Sequence, residues 1–259
     1  MGGNRVRAKL AVLDRRLRHR AQLLRLQLSG DARDRLLAHA IRDAKRLATQ
    51  PHVFAAIEQE RAALAQHSDP LVDGTLTVEG PYDRGTVGEA EKASKRPIDA
   101  RLLYSIVRAF EPRTVIELGT NIGISGAYIA TALRDAGKSG HLTTLEGSPY
   151  RMRLAQTLHN MLGLNNVSYR VGLFTDTLQD VLNSIPPVDV AFIDGHHQYE
   201  PTLHYFDLIA KHASPDCVFI FDDIGWSDGM KKAWRELRAD PRLPISIACG
   251  AIGVALKKA

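Results

Sequence analysis

The sequence predicts an α/β protein built on a doubly wound, mostly parallel sheet of seven strands. From Pro97 onward, short apolar runs alternate with stretches of helical periodicity, and five such runs are separated by helices. The last two runs are joined by about two residues at Gly250, too few for a parallel crossover, so they pair as an antiparallel hairpin.

Residues 1–68 read as a helical extension. Val6, Leu10, Leu13, Leu17, Ala21, Leu24 and Leu28 recur at steps of three and four, which sets them on one helix face. "LSGDARD" offers a break with a fresh N-cap at Ser29 or Asp31, and "TQPHVF" offers another before "VFAAIEQERAALA", so about three helices fit. Residues 69–97 are rich in glycine, proline and charge and read as a connector or lid. The domain proper, 98–259, then runs helix 98–110, strand 113–118, helix 124–136, strand 141–146, helix 149–163 and strand 167–171. It continues with helix 176–184, strand 188–194, helix 200–213, strand 216–222, helix 227–238 and strands 244–249 and 252–257.

Composition narrows the function. Residues 1–50 hold 13 Lys/Arg against 4 Asp/Glu, whereas the whole chain carries +5, so the basic character belongs to the extension and the body is mildly acidic. The extension lacks interleaved aromatics for base stacking, so its expected role is packing on the domain or on a second copy, as a dimer, rather than gripping nucleic acid. No apolar run approaches the roughly 18 residues that span a bilayer, and the start lacks a signal peptide's apolar stretch. A soluble, cytoplasmic protein without a membrane partner is expected. Cys217 and Cys249 both fall in apolar runs and read as small buried hydrophobes.

In an open parallel sheet, ligands collect beyond the carboxyl ends of the strands. Those ends are acidic here: Glu117 before the loop Gly119-Thr120-Asn121-Ile122-Gly123, then Glu146, Asp194, and Asp222 with Asp223. The glycines allow a tight turn against a ligand, but a pyrophosphate would want amides without a carboxylate beside them. Glu117 suits a cationic ligand, and Glu146 can accept from both hydroxyls of a ribose. A phosphate-free nucleoside carrying an amino acid meets both demands, which points to S-adenosylmethionine.

At these residues the sequence resembles the class I methyltransferases. "ELGTNIG" follows their E/D-x-G-x-x-x-G motif, "TTLEGSP" their acidic second-strand end, and "ISIACGAIGVALKK" is similar to their closing hairpin. The resemblance covers 97–259 and implies cofactor contacts from Glu117, Gly119, Thr120, Asn121, Gly123, Glu146 and Asp194. It also implies that Leu173, Phe174 or Thr175 borders the adenine, and that Ser125 caps the following helix while meeting the cofactor's carboxylate.

Three carboxylates, Asp194, Asp222 and Asp223, converging on one point would repel unless a cation sat among them. Hard oxygen ligands select Mg²⁺ or Ca²⁺ over zinc. The layout resembles the metal-dependent O-methyltransferases of the catechol and macrolide-sugar types, which implies Mg²⁺ on these three residues and a small-molecule acceptor carrying a hydroxyl. His197 stands where catechol-type relatives carry a lysine base and is the expected proton acceptor, ahead of His196. Trp226 and Tyr199 flank the same mouth. Two alternatives stay open: Asp222 or Asp223 simply caps the helix near Ser227, or the protein acts on nucleic acid or binds the cofactor without methyl transfer.

Overall fold

The computed structural model describes residues 17–71, 76–77, 80–81 and 85–258. Helix α1 (17–27) leads into α2 (Ala32–Arg46), where Asp31 is the N-cap and accepts from the Arg33 amide at 2.8 Å. Two 3₁₀ turns, Leu47–Thr49 and Pro51–Phe54, precede α3 (Ala55–Leu64). Leu37, Ile41, Ala44, Phe54 and Ile57 are buried in the same core as Val115 and Ile220, so these helices close over one face of the sheet.

The expected leucine seam does not join the core of the chain. Leu17, Leu24 and Leu28 are exposed, and the face that packs is one step round the helix, through Leu23 and Leu26. His19, on that second face, donates from Nδ1 to the Ala248 carbonyl at 2.9 Å. A leucine-rich helix is apolar on two flanks, and the hydrogen bond to the sheet's edge helps to select between them. Val6, Leu10 and Leu13 lie outside the described residues.

The connector is more structured than its composition suggests. It contains the short hairpin β1 (Leu76–Thr77) and β2 (Gly80–Pro81), then α4 (Val87–Lys92), which starts with a capping box: the Thr86 side chain accepts from the Glu89 amide, and Glu89 accepts from the Thr86 amide at 2.8 Å. Before it, the Leu71 amide donates to Gly85 and the Gly88 amide to His67, pairing 67–71 with 85–88. Residues 93–96 then turn into α5 (Pro97–Phe110), against which α2 packs.

The sheet is formed by β3 (Thr114–Leu118), β4 (His141–Glu146), β5 (Val167–Val171), β6 (Val188–Ile193), β7 (Ala213–Phe221), β8 (Ile245–Cys249) and β9 (Ile252–Leu256). Its order is β5-β4-β3-β6-β7-β9-β8, parallel except for β9, which runs antiparallel to both β7 and β8. Helices α6 (Ile124–Asp135), α7 (Pro149–Met161), α8 (Phe174–Ser184), α9 (Tyr199–His212) and α10 (Asp228–Leu237) make the crossovers. The expected fold class is observed. β3 is buried along its whole length and has β4 on one side and β6 on the other, so the winding reverses at its carboxyl end. That reversal is where an open sheet parts its loops to form a crevice. Among the described residues, no helix is long and apolar enough to cross a membrane.

Candidate active site

The glycine loop leaves β3 with Gly119 at φ 99° and Gly123 at φ 91°. A Cβ on Gly119 would collide with the Asp194 carbonyl, and one on Gly123 would collide with Ala155, so both positions need glycine for conformation and for space. Glu117 lies fully buried behind the loop. Its Oε2 accepts from Thr144 Oγ1 at 2.7 Å, whereas its Oε1 has no partner. Burial pushes the Glu117 carboxyl up to about 7, against the downward pull of hydrogen bonds from Ser125 and Thr144.

Glu146, at the end of β4, accepts from the Asn121 amide at 2.8 Å through Oε2 and from the Ser148 amide at 3.0 Å through Oε1. Asn121, at φ 48°, ties the loop to its surroundings: its Nδ2 donates to the Ala90 carbonyl at 2.9 Å, and its Oδ1 accepts from Arg151 at 2.6 Å. The segment around α4 is thereby held over the loop. Behind it, His159 is buried with Nε2 2.8 Å from the Gly123 carbonyl and Nδ1 2.9 Å from the Tyr169 hydroxyl. A carbonyl only accepts, so Nε2 carries the proton and Tyr169 donates to Nδ1. Burial lowers the His159 pKa to about 4, which keeps the ring neutral.

Beside the loop, Asp194, His197 and Asp222 bring potential ligand atoms within 4.8 Å of one another. Asp223, at φ 48°, stands outside that group. His197, at φ 41°, has Nε2 3.4 Å from Asp194 Oδ1, and burial lowers its pKa while Asp222 and Asp223 pull the other way. Left-handed backbone at non-glycine residues stores strain, and Asn121, His196, His197 and Asp223 concentrate it around one crevice.

Lys95 enters this cluster from the turn between α4 and α5. Its Nζ lies 3.1 Å from Asp194 Oδ2 and 3.2 Å from Oδ1, and it also hydrogen-bonds Asp222 Oδ2. Burial disfavours the ammonium, but Asp194 and Asp222 outweigh burial and hold its pKa above the ordinary lysine value. Burial and the Asp194 charge push Asp222 up, against the pull of Lys95. Two aspartates and a histidine have the composition of a divalent metal site, yet the chain's own ammonium fills the space between the acids. This arrangement does not fit a metal ion.

Residues 116–224 match a family model described as a methyltransferase domain. Among curated proteins, it is 30% identical over 133 residues to a catechol O-methyltransferase of Niastella koreensis, covering 51% of this chain and 58% of that protein. It is 26% identical over 141 residues to a putative O-methyltransferase of a Mycobacterium species, strain JLS, covering 54% and 61%. The chain thus spans about three fifths of the length of these relatives. The fold is similar to an O-methyltransferase from Bacillus cereus in complex with SAH, with a TM-score of 0.58 and 23% identity over 80% of this chain and 91% of that one. It is also similar to the O-methyltransferase TomG from Streptomyces achromogenes in complex with SAM, with a TM-score of 0.56 and 21% identity over 66% and 87%.

Within residues 116–224, Glu117, Gly119, Thr120, Asn121, Gly123, Glu146 and Asp194 gather at the reversal point, at the strand ends where the sequence sets them. Phe174 packs under Gly195 and edge-on to His196, whereas Thr175 is exposed with its hydroxyl on Asp176. Ser125 is not the cap of α6: Gly123 holds that position, and the buried Ser125 is the second residue of the helix, hydrogen-bonded to Glu117. Neither Asp222 nor Asp223 caps α10, because Ser227 does so by accepting from the Met230 amide at 3.1 Å. His196 is 2.7 Å from the Tyr205 hydroxyl and stacks on that ring, a packing role. Trp226 is 75% exposed, and Tyr199 donates to Glu236. Cys217 is buried, whereas Cys249 is half-buried.

Sequence reasoning missed Lys95 and His159. A lone lysine in an aperiodic stretch gives no signal. His159 had one: it follows Ala155 by four residues on α7, the helix face that meets Gly123.

Proposed function

We propose that this chain is an S-adenosylmethionine-dependent methyltransferase that methylates a hydroxyl oxygen of a small molecule such as a sugar, polyketide or phenol. The observation that carries the reading is Glu117: a buried carboxylate with an unpartnered oxygen beside a glycine loop calls for a ligand that brings a donor or a positive charge. The amino group of a methionine moiety is such a donor, and Glu146 suits ribose hydroxyls. Lys95 bonds Asp194 and Asp222 but not Asp223, and these acidic surroundings suit a sulfonium.

When bound, S-adenosylmethionine supplies a methyl group whose departure leaves a neutral thioether. The chain's own share is positioning and proton removal. His197, whose pKa is lowered by burial, accepts the acceptor's hydroxyl proton at Nδ1 while Asp194 holds the ring from the Nε2 side, 3.4 Å away. The expected Mg²⁺ on Asp194, Asp222 and Asp223 is not part of this reading, because the Lys95 ammonium lies between Asp194 and Asp222. The exposed stripe of Leu17, Ala21, Leu24 and Leu28 supports a homodimer, which sedimentation of the full chain against a Leu24→Glu variant would test.

The test of the reaction is transfer of labelled methyl from S-adenosylmethionine to a panel of catechols, sugars and polyketide alcohols. An O-methylated product in any class supports the proposal. Label appearing only in RNA or DNA would replace the small-molecule acceptor with nucleic acid.

A further inference from the structure

The acid cluster at the ends of β6 and β7 is already neutralised in part by a residue from outside the sheet. Asp222 is 2% exposed, and Asp194 and Lys95 are 11% and 12% exposed at their side chains, so the contact is sheltered from solvent screening. Lys95 is also held in place. Asn121 binds Ala90 at 2.9 Å and Ser94 at 3.4 Å, and Pro97 fixes the start of α5 directly beyond, so the turn bearing Lys95 is anchored on both sides.

We propose that Lys95 is the resident cation of this cluster: its ammonium takes the place of a divalent ion between Asp194 and Asp222 and offers its remaining N–H to the acceptor oxygen. An ammonium has three donors, and the two aspartates use two of them. A divalent ion in the same space would meet a positive charge at contact distance, which excludes joint occupancy in a sheltered site. The protein therefore binds no divalent ion here and works in chelator. The last clause, and the role toward the acceptor, rest on the methyl-transfer reading; the cation exclusion does not.

The experiment is calorimetric titration of metal-stripped full-length protein with Mn²⁺, on wild type, Lys95→Ala and Lys95→Ala/Asp222→Asn. Wild type should give no saturable heat. Lys95→Ala should gain a site at least ~10-fold tighter, and the second substitution should abolish it. Wild type binding Mn²⁺ as tightly as Lys95→Ala would overturn the proposal. If Lys95→Ala lacks a cooperative melt, Lys95→Met keeps the aliphatic stem and carries the same expectation. In a parallel arm, methyl transfer by wild type should be unchanged in chelator, and a loss of more than ~10-fold restored by Mg²⁺ would overturn it. A protein silent to S-adenosylmethionine in the same calorimeter would sink the methyl-transfer reading while leaving the Mn²⁺ comparison intact.

Discussion

The Asn121 amide donates to Glu146 Oε2 at 2.8 Å, so the acid at the end of β4 holds the glycine loop before any ligand arrives. Glu146 braces the loop, and the proposed ribose contact would fall on the same carboxylate. Hydrogen bonds to a charged group contribute about 1.5–3 kcal/mol each. Glu146→Ala should lower S-adenosylmethionine affinity by roughly 10- to 100-fold and also lower the melting temperature, as read by calorimetry and thermal unfolding. An unchanged affinity would move the ribose contact to another residue.

Glu117 and His159 approach the first turn of α6 from two sides and impose opposite pH dependences on stability. The folded Glu117 pKa, about 7, lies above its ordinary 4.5, so the folded state holds more protons and stability falls as pH rises through that window. The folded His159 pKa, about 4, lies below its ordinary 6.5, so the unfolded state holds more protons and stability falls as pH drops from 6.5 toward 4. Each effect is at most on the order of 3 kcal/mol. Urea unfolding across pH should lose its upper slope in Glu117→Gln and its lower slope in His159→Gln. Variants with wild-type slopes would show that other groups cause them.

His197 is depressed below the ordinary histidine value by burial, so its base form persists into mildly acid solution. The acid limb of kcat should therefore fall below pH 6.5 and disappear in His197→Ala, with kcat down by ~10²- to 10⁴-fold and little change in KM for S-adenosylmethionine. A variant that keeps both limb and rate would remove His197 from the chemistry.

Gly119 cannot accept a side chain. At φ 99° its Cβ would be driven into the Asp194 carbonyl, and left-handed strain alone costs about 1–3 kcal/mol. Gly119→Ala should destabilise the chain by at least that amount and abolish cofactor binding, whereas Gly137→Ala, at a positive φ in open space, should only destabilise modestly. Comparable cofactor affinities in the two variants would contradict the packing argument.

What the sequence made legible follows from range. The five parallel strands show as apolar runs because both faces of β3, β6 and β7 are covered, and the acids that end them are readable because strand ends are. The capping of α4 by Thr86 and Glu89 was also written locally, but glycine and proline around it masked the pattern. Lys95 was out of reach in principle: its partners stand 99 and 127 residues away, and nothing near a lone lysine announces a buried acid. The leucine stripe of α1 was readable as an apolar face, but periodicity does not say which of two faces the core will take.

In the proposed function, Glu117 and the glycine loop hold S-adenosylmethionine. The direct measurement is calorimetric titration of wild type and Glu117→Gln with that cofactor at neutral pH. Wild type should bind saturably, one to one, and Glu117→Gln should bind at least ~10-fold more weakly through loss of the carboxylate proposed to meet the amino group. No heat from wild type, or equal affinity in the two proteins, would contradict the proposal.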